Sequence, residues 1–127
     1  MRSTFIDTLQ ARALVDDSIF LITADMGFSV FEKFARQFPD RFLNVGIAEQ
    51  NAVGVGAGLA LSGYNVYVYS IAPFVTMRCF EQVRLDVAYM HTNVKLVGVG
   101  GGLSYGQAGA SHHAIEDISL MRSLPGM

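Results

Sequence analysis

Short apolar runs alternate along the chain with segments of helical periodicity. The apolar runs at 19–22, 42–45, 65–69 and 94–99 predict four buried strands. Helices are predicted between and around them, at 3–16, 30–38, 48–61, 73–89 and 114–122. This alternation indicates βαβ units, and hence an α/β fold with three layers, α/β/α, around a mainly parallel sheet. The sequence stops soon after its last helix, where such a fold usually adds another strand, so we expect a last strand to be missing.

The predicted helix at 48–61 is rich in glycine and alanine and is a weak helix former by composition. Each glycine costs about 1 kcal/mol relative to alanine in an exposed helix interior. Such a helix persists where small side chains allow close packing. We therefore expect it to lie deep in the fold or at an interface.

Composition narrows the class of protein. The chain has 127 residues, of which 51% are hydrophobic and 16% charged, which predicts one domain with additional apolar surface buried against a partner. Its net charge of −2 gives no sign of binding to nucleic acid or to an anionic membrane. A single cysteine, Cys79, excludes a disulfide framework and fits a cytoplasmic location. The longest apolar stretch, at 52–61, is about half of what spans a bilayer.

Glu49 is the first candidate for chemistry, because it stands where a predicted strand gives way to a helix. Ligands of open α/β sheets bind outside the carboxyl ends of the strands. An acidic residue at a helix start is also common for another reason, since it complements the helix dipole by roughly a few tenths of a kcal/mol. The spacing by itself favours that second interpretation.

Several motifs in order change this balance. The run Gly-Ile-Ala-Glu-Gln-Asn-Ala-Val-Gly-Val-Gly-Ala-Gly-Leu-Ala at 46–60 resembles the pyrimidine-binding domain of the transketolase family. That family includes 1-deoxyxylulose-5-phosphate synthases and the β chains of 2-oxoacid dehydrogenase E1 enzymes. The similarity extends over most of the sequence, through further motifs at 23–26, 74–84, 106–113 and 120–127.

The resemblance implies a thiamine diphosphate enzyme, with residues 1–127 as its pyrimidine-binding domain. The implied reaction is transfer of a two-carbon ketol unit between sugar phosphates. Two alternatives stay open: a condensation of the 1-deoxyxylulose-5-phosphate synthase type, and a non-catalytic interaction module. If the chain belongs to a ketol-transferring enzyme, the resemblance implies that Glu49 is catalytic and binds the ring nitrogen N1′ of the aminopyrimidine. A proton shared there makes the 4′-amino group a better base. We expect its carboxyl group to lie in a dry pocket.

The resemblance implies three further cofactor-binding residues. Phe74 would stack on the aminopyrimidine, although core packing is the alternative for any one of nine phenylalanines. Arg78 would touch the same region, unless it is a solvated helix charge or part of an interface ion pair. Asp25 would approach the thiazolium side or help build a dimer contact, unless it caps a helix near 27–30.

Two adjacent histidines follow a glycine-rich loop at 100–109. The resemblance places His112 opposite the thiazolium and the substrate, as a second catalytic residue, although a loop histidine facing water is the alternative. His113 stands where relatives often carry glutamine, which leaves open which ring points inward. Adjacent histidines rarely share one metal ion, so we expect no metal site in this chain.

One family motif is missing from the sequence. The diphosphate and Mg²⁺ of this cofactor are usually held by Gly-Asp-Gly followed at a distance by Asn, and no Gly-Asp-Gly occurs here. The resemblance therefore implies that Mg²⁺ and the diphosphate are bound by a partner domain or subunit, within a homodimer or heterotetramer. We expect this chain to be inactive by itself.

Overall fold

The computed structural model describes residues 2–127. Four strands alternate with helices along this part of the chain. The strands are β1 (Ile19–Thr23), β2 (Phe42–Asn44), β3 (Asn65–Ile71) and β4 (Val94–Val99). The helices are α1 (Arg2–Ala13), α2 (Glu32–Gln37), α3 (Glu49–Leu61), α4 (Ala72–Val75), α5 (Phe80–Gln82) and α6 (Asp117–Arg122), with a π-helical segment at Val83–Tyr89 and 3₁₀ turns at Pro39–Arg41 and Gly106–Ser111.

The four strands form one parallel sheet in the order β2-β1-β3-β4. In the register of the sheet, Ile22 lies opposite Leu43 on one side and Val68 on the other. All five residues of β1 are buried, as expected for a central strand that helices cover on both faces. The predicted α/β class with a parallel sheet is confirmed.

Two hydrophobic clusters occupy the two faces of the sheet, because successive strand residues point to opposite sides. One cluster joins the sheet to α1 and α2 and contains Leu9, Leu21, Phe31, Phe34 and Tyr69. The other joins the sheet to α3 and the π-helical segment and contains Ile22, Val53, Val66, Val68 and Val83. Helices therefore cover both faces, which gives the three predicted layers.

Helix α3 packs closely on the sheet at Gly56. A Cβ atom added there would lie 3.0 Å from Cγ2 of Val68 and 3.4 Å from Cγ1 of Val66. Gly54 and Gly58 have open space at the same position. Close packing thus explains one of the three glycines, and it confirms that the small-residue helix lies against the core.

The predicted helix at 73–89 is interrupted. It forms α4, breaks after Val75 and resumes at Phe80. At the break the hydroxyl of Thr76 donates to the carbonyl of Ala72 at 2.7 Å, and the thiol of Cys79 donates to the carbonyl of Phe74 at 3.0 Å. The Ala72 carbonyl also keeps its helical bond from the N–H of Thr76 at 3.1 Å. The N–H of Arg78, which would bond to Phe74 in a continuous helix, bonds to the carbonyl of Pro73 at 3.1 Å, and the thiol of Cys79 takes the place at Phe74.

The last helix begins at Asp117 and not at the predicted residue 114. Ala114 instead pairs with Gly102 in an isolated antiparallel bridge, with N···O distances of 3.0 and 2.9 Å. This bridge closes the segment 102–114, which contains most of the glycine-rich loop and both adjacent histidines. Within residues 2–127, no helix is both long and apolar enough to cross a membrane.

Candidate functional site

Glu49 is the first residue of α3 and lies beyond the carboxyl end of β2. Its side chain is buried, with 4% exposure, although it carries a carboxylate. Oε2 accepts a hydrogen bond from Nη1 of Arg78 at 2.7 Å, and Oε1 accepts a longer one from the hydroxyl of Ser70 at 3.5 Å. A carboxylate that merely complements a helix dipole has no need of burial or of an arginine partner. The structure therefore favours a more specific role for Glu49.

Arg78 connects Glu49 to Phe74. Its Cζ atom lies 4.0 Å from the centroid of the Phe74 ring, within the range of a cation–π contact. The Arg78 side chain is 43% exposed, so it reaches the buried carboxylate from the surface. Phe74 is half-buried and belongs to neither core cluster. Simple core packing thus does not describe Phe74, and an ion pair within the chain replaces the solvated charge considered for Arg78.

His112 continues this chain of contacts. Its ring lies 5.0 Å from that of Phe74 at an interplanar angle of 67°, and 5.4 Å from that of Tyr105. The neighbouring His113 instead donates from Nε2 to the carbonyl of Gly106 at 3.1 Å, inside the loop. Four of the predicted residues, Glu49, Arg78, Phe74 and His112, are therefore connected through direct contacts.

Asp25 lies at the end of β1 and contacts a different group. Its backbone N–H donates to Oδ1 of Asn44 at 2.9 Å, and Nδ2 of Asn44 donates back to Oδ1 of Asp25 at 3.3 Å. The same Asn44 oxygen accepts the N–H of Gly46 at 3.0 Å. Helix α2 starts at Glu32 without a side-chain cap, so the helix-capping alternative for Asp25 is wrong. Asp25 instead braces the loop that leads into Glu49.

The sequence analysis did not place two residues, Ser70 and Cys79, beside Glu49. Ser70 is buried in β3 with 1% exposure, one residue beyond the predicted strand, and its only sequence signal is a hydroxyl closing an apolar run. Cys79 follows Arg78 and is fully buried. Burial, and secondarily the negative charge of Glu49, raise the pKa of the Cys79 thiol to about 12. The thiol therefore stays protonated at neutral pH and is a poor nucleophile.

Comparison with known proteins identifies the family. A family model described as the transketolase pyrimidine binding domain matches residues 1–127. The chain belongs to this family. The family resemblance found in the sequence is thus confirmed.

Several relatives are similar over the whole chain. A subunit of the apulose-4-phosphate transketolase of Phocaeicola vulgatus is 47% identical over 127 residues, which cover 99% of this chain and 41% of that protein. The 6-deoxy-6-sulfo-D-fructose transketolase subunit SqwH of a Clostridium species is 41% identical over 128 residues, covering 100% of this chain and 40% of that protein. A solved structure described as a split gene transketolase, an inactive beta4 tetramer, superposes with a TM-score of 0.86 at 39% identity, covering 99% of this chain and 40% of that one. The chain thus spans about two fifths of the length of these relatives.

A transketolase pyrimidine domain implies thiamine diphosphate, and the residues present fit its aminopyrimidine. The ring needs a buried carboxyl group at N1′ and a flat apolar surface beside it. Glu49 provides the first, and the half-buried ring of Phe74, linked to Glu49 through Arg78, provides the second. Among residues 2–127, no three His, Cys, Asp or Glu side chains are grouped to hold a metal ion.

Proposed function

We propose that this chain supplies the aminopyrimidine half of a thiamine diphosphate site in an enzyme that transfers a two-carbon ketol unit between sugar phosphates. The observation that carries the proposal is the buried carboxylate of Glu49 at the carboxyl edge of a parallel sheet, held by Arg78 and Ser70. Ligands of such sheets bind at that edge.

Glu49 is the catalytic residue of this proposal. When bound, thiamine diphosphate would supply an acidic thiazolium carbon together with its own 4′-amino group as the base. Glu49 makes this possible because its carboxyl group both donates and accepts, so it shares one proton with N1′. Burial of the carboxyl group keeps water from competing for that proton.

Phe74, His112 and Asp25 have supporting roles in the proposal. The ring of Phe74 stacks on the aminopyrimidine, which contributes about 0.5–1.5 kcal/mol beyond area burial. The ring of His112 lies 5.0 Å from that of Phe74, and its imidazole is the group that donates to a substrate carbonyl or moves a proton there. Asp25 faces the thiazolium side or a dimer contact through the Asn44 loop.

The proposal includes a partner that binds the diphosphate and Mg²⁺, in a homodimer or heterotetramer in the cytoplasm. It is supported by relatives that are named as subunits and by a related structure described as a split gene transketolase. Residues 1–127 span about two fifths of the length of these relatives. The proposal assigns binding of the diphosphate and Mg²⁺ to parts of the enzyme outside residues 1–127.

The test is a Glu49→Gln variant in the native complex, purified with its diphosphate-binding partner. Glutamine keeps the shape of the side chain but cannot share a proton, so we expect ketol transfer from a ketose phosphate to an aldose phosphate to fall by about 10²–10⁴-fold. Glu81→Gln is the matched control, since Glu81 is an exposed carboxylate of the same chain. Normal turnover by the Glu49→Gln complex would remove the proposed role.

A second candidate is a condensation of the 1-deoxyxylulose-5-phosphate synthase type. The 1-deoxy-D-xylulose-5-phosphate synthase of Mycobacteroides abscessus is 41% identical over 126 residues, covering 98% of this chain and 19% of that enzyme. The two reactions separate in one assay, because only the condensation consumes a 2-oxo acid and releases CO₂. A native complex that binds no thiamine diphosphate would instead favour a non-catalytic interaction module.

A further inference from the structure

We infer that Arg78 is a positioning residue that orients Glu49 and leaves Oε1 as the oxygen that shares the proton with N1′. This inference rests on the proposed function of Glu49. The two carboxylate oxygens differ in the structure: Oε2 accepts a charge-assisted bond of 2.7 Å from Arg78, whereas Oε1 accepts a bond of 3.5 Å from Ser70. Charge-assisted bonds of this length are about twice as strong as neutral ones. Oε2 is therefore the anchored oxygen, and Oε1 keeps most of its capacity to accept.

The guanidinium of Arg78 also holds the Glu49 carboxylate and the Phe74 ring, the two groups that would face the cofactor, next to each other. It binds the Glu49 carboxylate through Nη1 and lies over the ring of Phe74 at 4.0 Å. A planar guanidinium can do both at once, whereas a lysine ammonium is a point charge on a flexible stem. Carboxylate and ring are thus held as one unit, with the hydrogen-bonding group beside the stacking surface.

The charge of Arg78 adds to its hold on Glu49. Its guanidinium lies 2.7 Å from Oε2, so the bond between them is charge-assisted. Two further groups lie near Glu49, the Ser70 hydroxyl on β3 and the Cys79 thiol beside Arg78. The thiol is neutral, so Arg78 is the charged group in contact with the carboxylate.

The experiment compares Arg78→Lys and Arg78→Gln in the native complex with its diphosphate-binding partner. We expect kcat to fall about 10–100-fold in Arg78→Gln, the loss that a small misplacement of a catalytic group produces. Arg78→Lys keeps the charge and loses the planar fork, so its kcat should fall as well.

The dissociation constant for thiamine diphosphate with Mg²⁺ separates positioning from direct binding. A positioning residue lowers kcat more than it weakens cofactor binding. If Arg78→Gln weakens cofactor binding by the same factor as kcat, Arg78 contacts the cofactor directly and the inference is wrong. If Arg78→Gln binds the cofactor more tightly at unchanged kcat, the guanidinium occupies the place of the aminopyrimidine, which also overturns it.

Two further comparisons keep this inference separate from the proposed function. An inactive Glu49→Gln complex together with wild-type kcat in both Arg78 variants would refute the role of Arg78 and leave that of Glu49 standing. An active Glu49→Gln complex would refute the proposed function itself. Arg84→Gln is the control for loss of an exposed arginine from the following helical segment, and thermal unfolding verifies that each variant is folded.

Discussion

Replacing Arg78 by methionine should reveal how much of the folding stability depends on the pairing of Glu49. The substitution removes the guanidinium but keeps an unbranched side chain over Phe74. Glu49, at 4% exposure, is then left with the 3.5 Å bond from Ser70. Breaking a fully buried pair costs about 3–5 kcal/mol. Because the Arg78 side chain is 43% exposed and solvent already weakens the pair, we expect a loss of about 1–3 kcal/mol in the free energy of unfolding.

The double variant Glu49→Met with Arg78→Met tests whether the ion pair between these residues serves folding stability or chemistry. Replacing a buried ion pair by apolar side chains of similar volume is often neutral or stabilising, because no charge then has to be desolvated. We therefore expect the double variant to regain at least the stability of the wild type. Together with lost turnover in the native complex, that result would mean that Glu49 serves chemistry and contributes little to folding.

Urea unfolding followed by far-UV circular dichroism at pH 7 and 25 °C, without cofactor, measures these differences. The midpoint should move while the slope stays constant, since the surface exposed on unfolding is nearly the same. Arg84→Met is the control for loss of an exposed arginine. A single variant within about 0.5 kcal/mol of the wild type, the usual range of surface substitutions, would refute the reasoning. A double variant less stable than Arg78→Met would do so as well.

The remaining predictions concern the core around the site. Gly58→Ala should raise the free energy of unfolding by about 0.5–1 kcal/mol, because alanine is the better helix former and has open space there. Gly56→Ala should lower the free energy of unfolding, because its Cβ would lie 3.0 Å from Val68. Equal shifts of the denaturation midpoint in the two variants would contradict the packing of α3. Cys79 should react with iodoacetamide at pH 8 only on unfolding, since a pKa of about 12 leaves little thiolate. Because the pKa of Cys79 is raised, the contribution of the thiol to stability is complete below about pH 9 and is lost as the pH rises toward 12. The free energy of unfolding, expressed relative to its value at pH 8, should therefore begin to fall at a lower pH in the wild type than in Cys79→Ala.

The sequence was sufficient to predict the strands, because each is a short apolar run bounded by polar or glycine-containing segments. β1 and β4 lie within one residue of their predicted bounds. The break after Val75 could not be predicted, because a helix and a broken helix share the same apolar pattern there. The break shows only in the bonds themselves: the N–H of Arg78 goes to Pro73, and the thiol of Cys79 bonds to the carbonyl of Phe74.

The site, like the fold, was predictable from the sequence only in part. Motif resemblance predicted Glu49, Phe74, Arg78 and His112 as site residues, but it could not predict that they contact one another, since contacts depend on tertiary geometry. The choice between His112 and His113 is an example. The ring of His113 is directed to Gly106 within the loop, while the ring of His112 meets Phe74. No feature of two adjacent histidines in a sequence distinguishes these orientations.

Strand register explains why the polar residues of the site meet at one edge. Thr23 lies opposite both Asn44 and Tyr69, and Ser70 lies opposite Gly98, so the strands end at nearly the same level. A shift of β3 by one residue would turn Ser70 to the other face and replace it by a bulky apolar side chain. Burying a hydroxyl in a central strand costs about 1–3 kcal/mol unless it is bonded, and the partner of Ser70 is Glu49. The burial of Ser70 in β3 is therefore accounted for by its bond to Glu49 in α3, and the reverse holds too. Either polar side chain without the other would be unfavourable in the core.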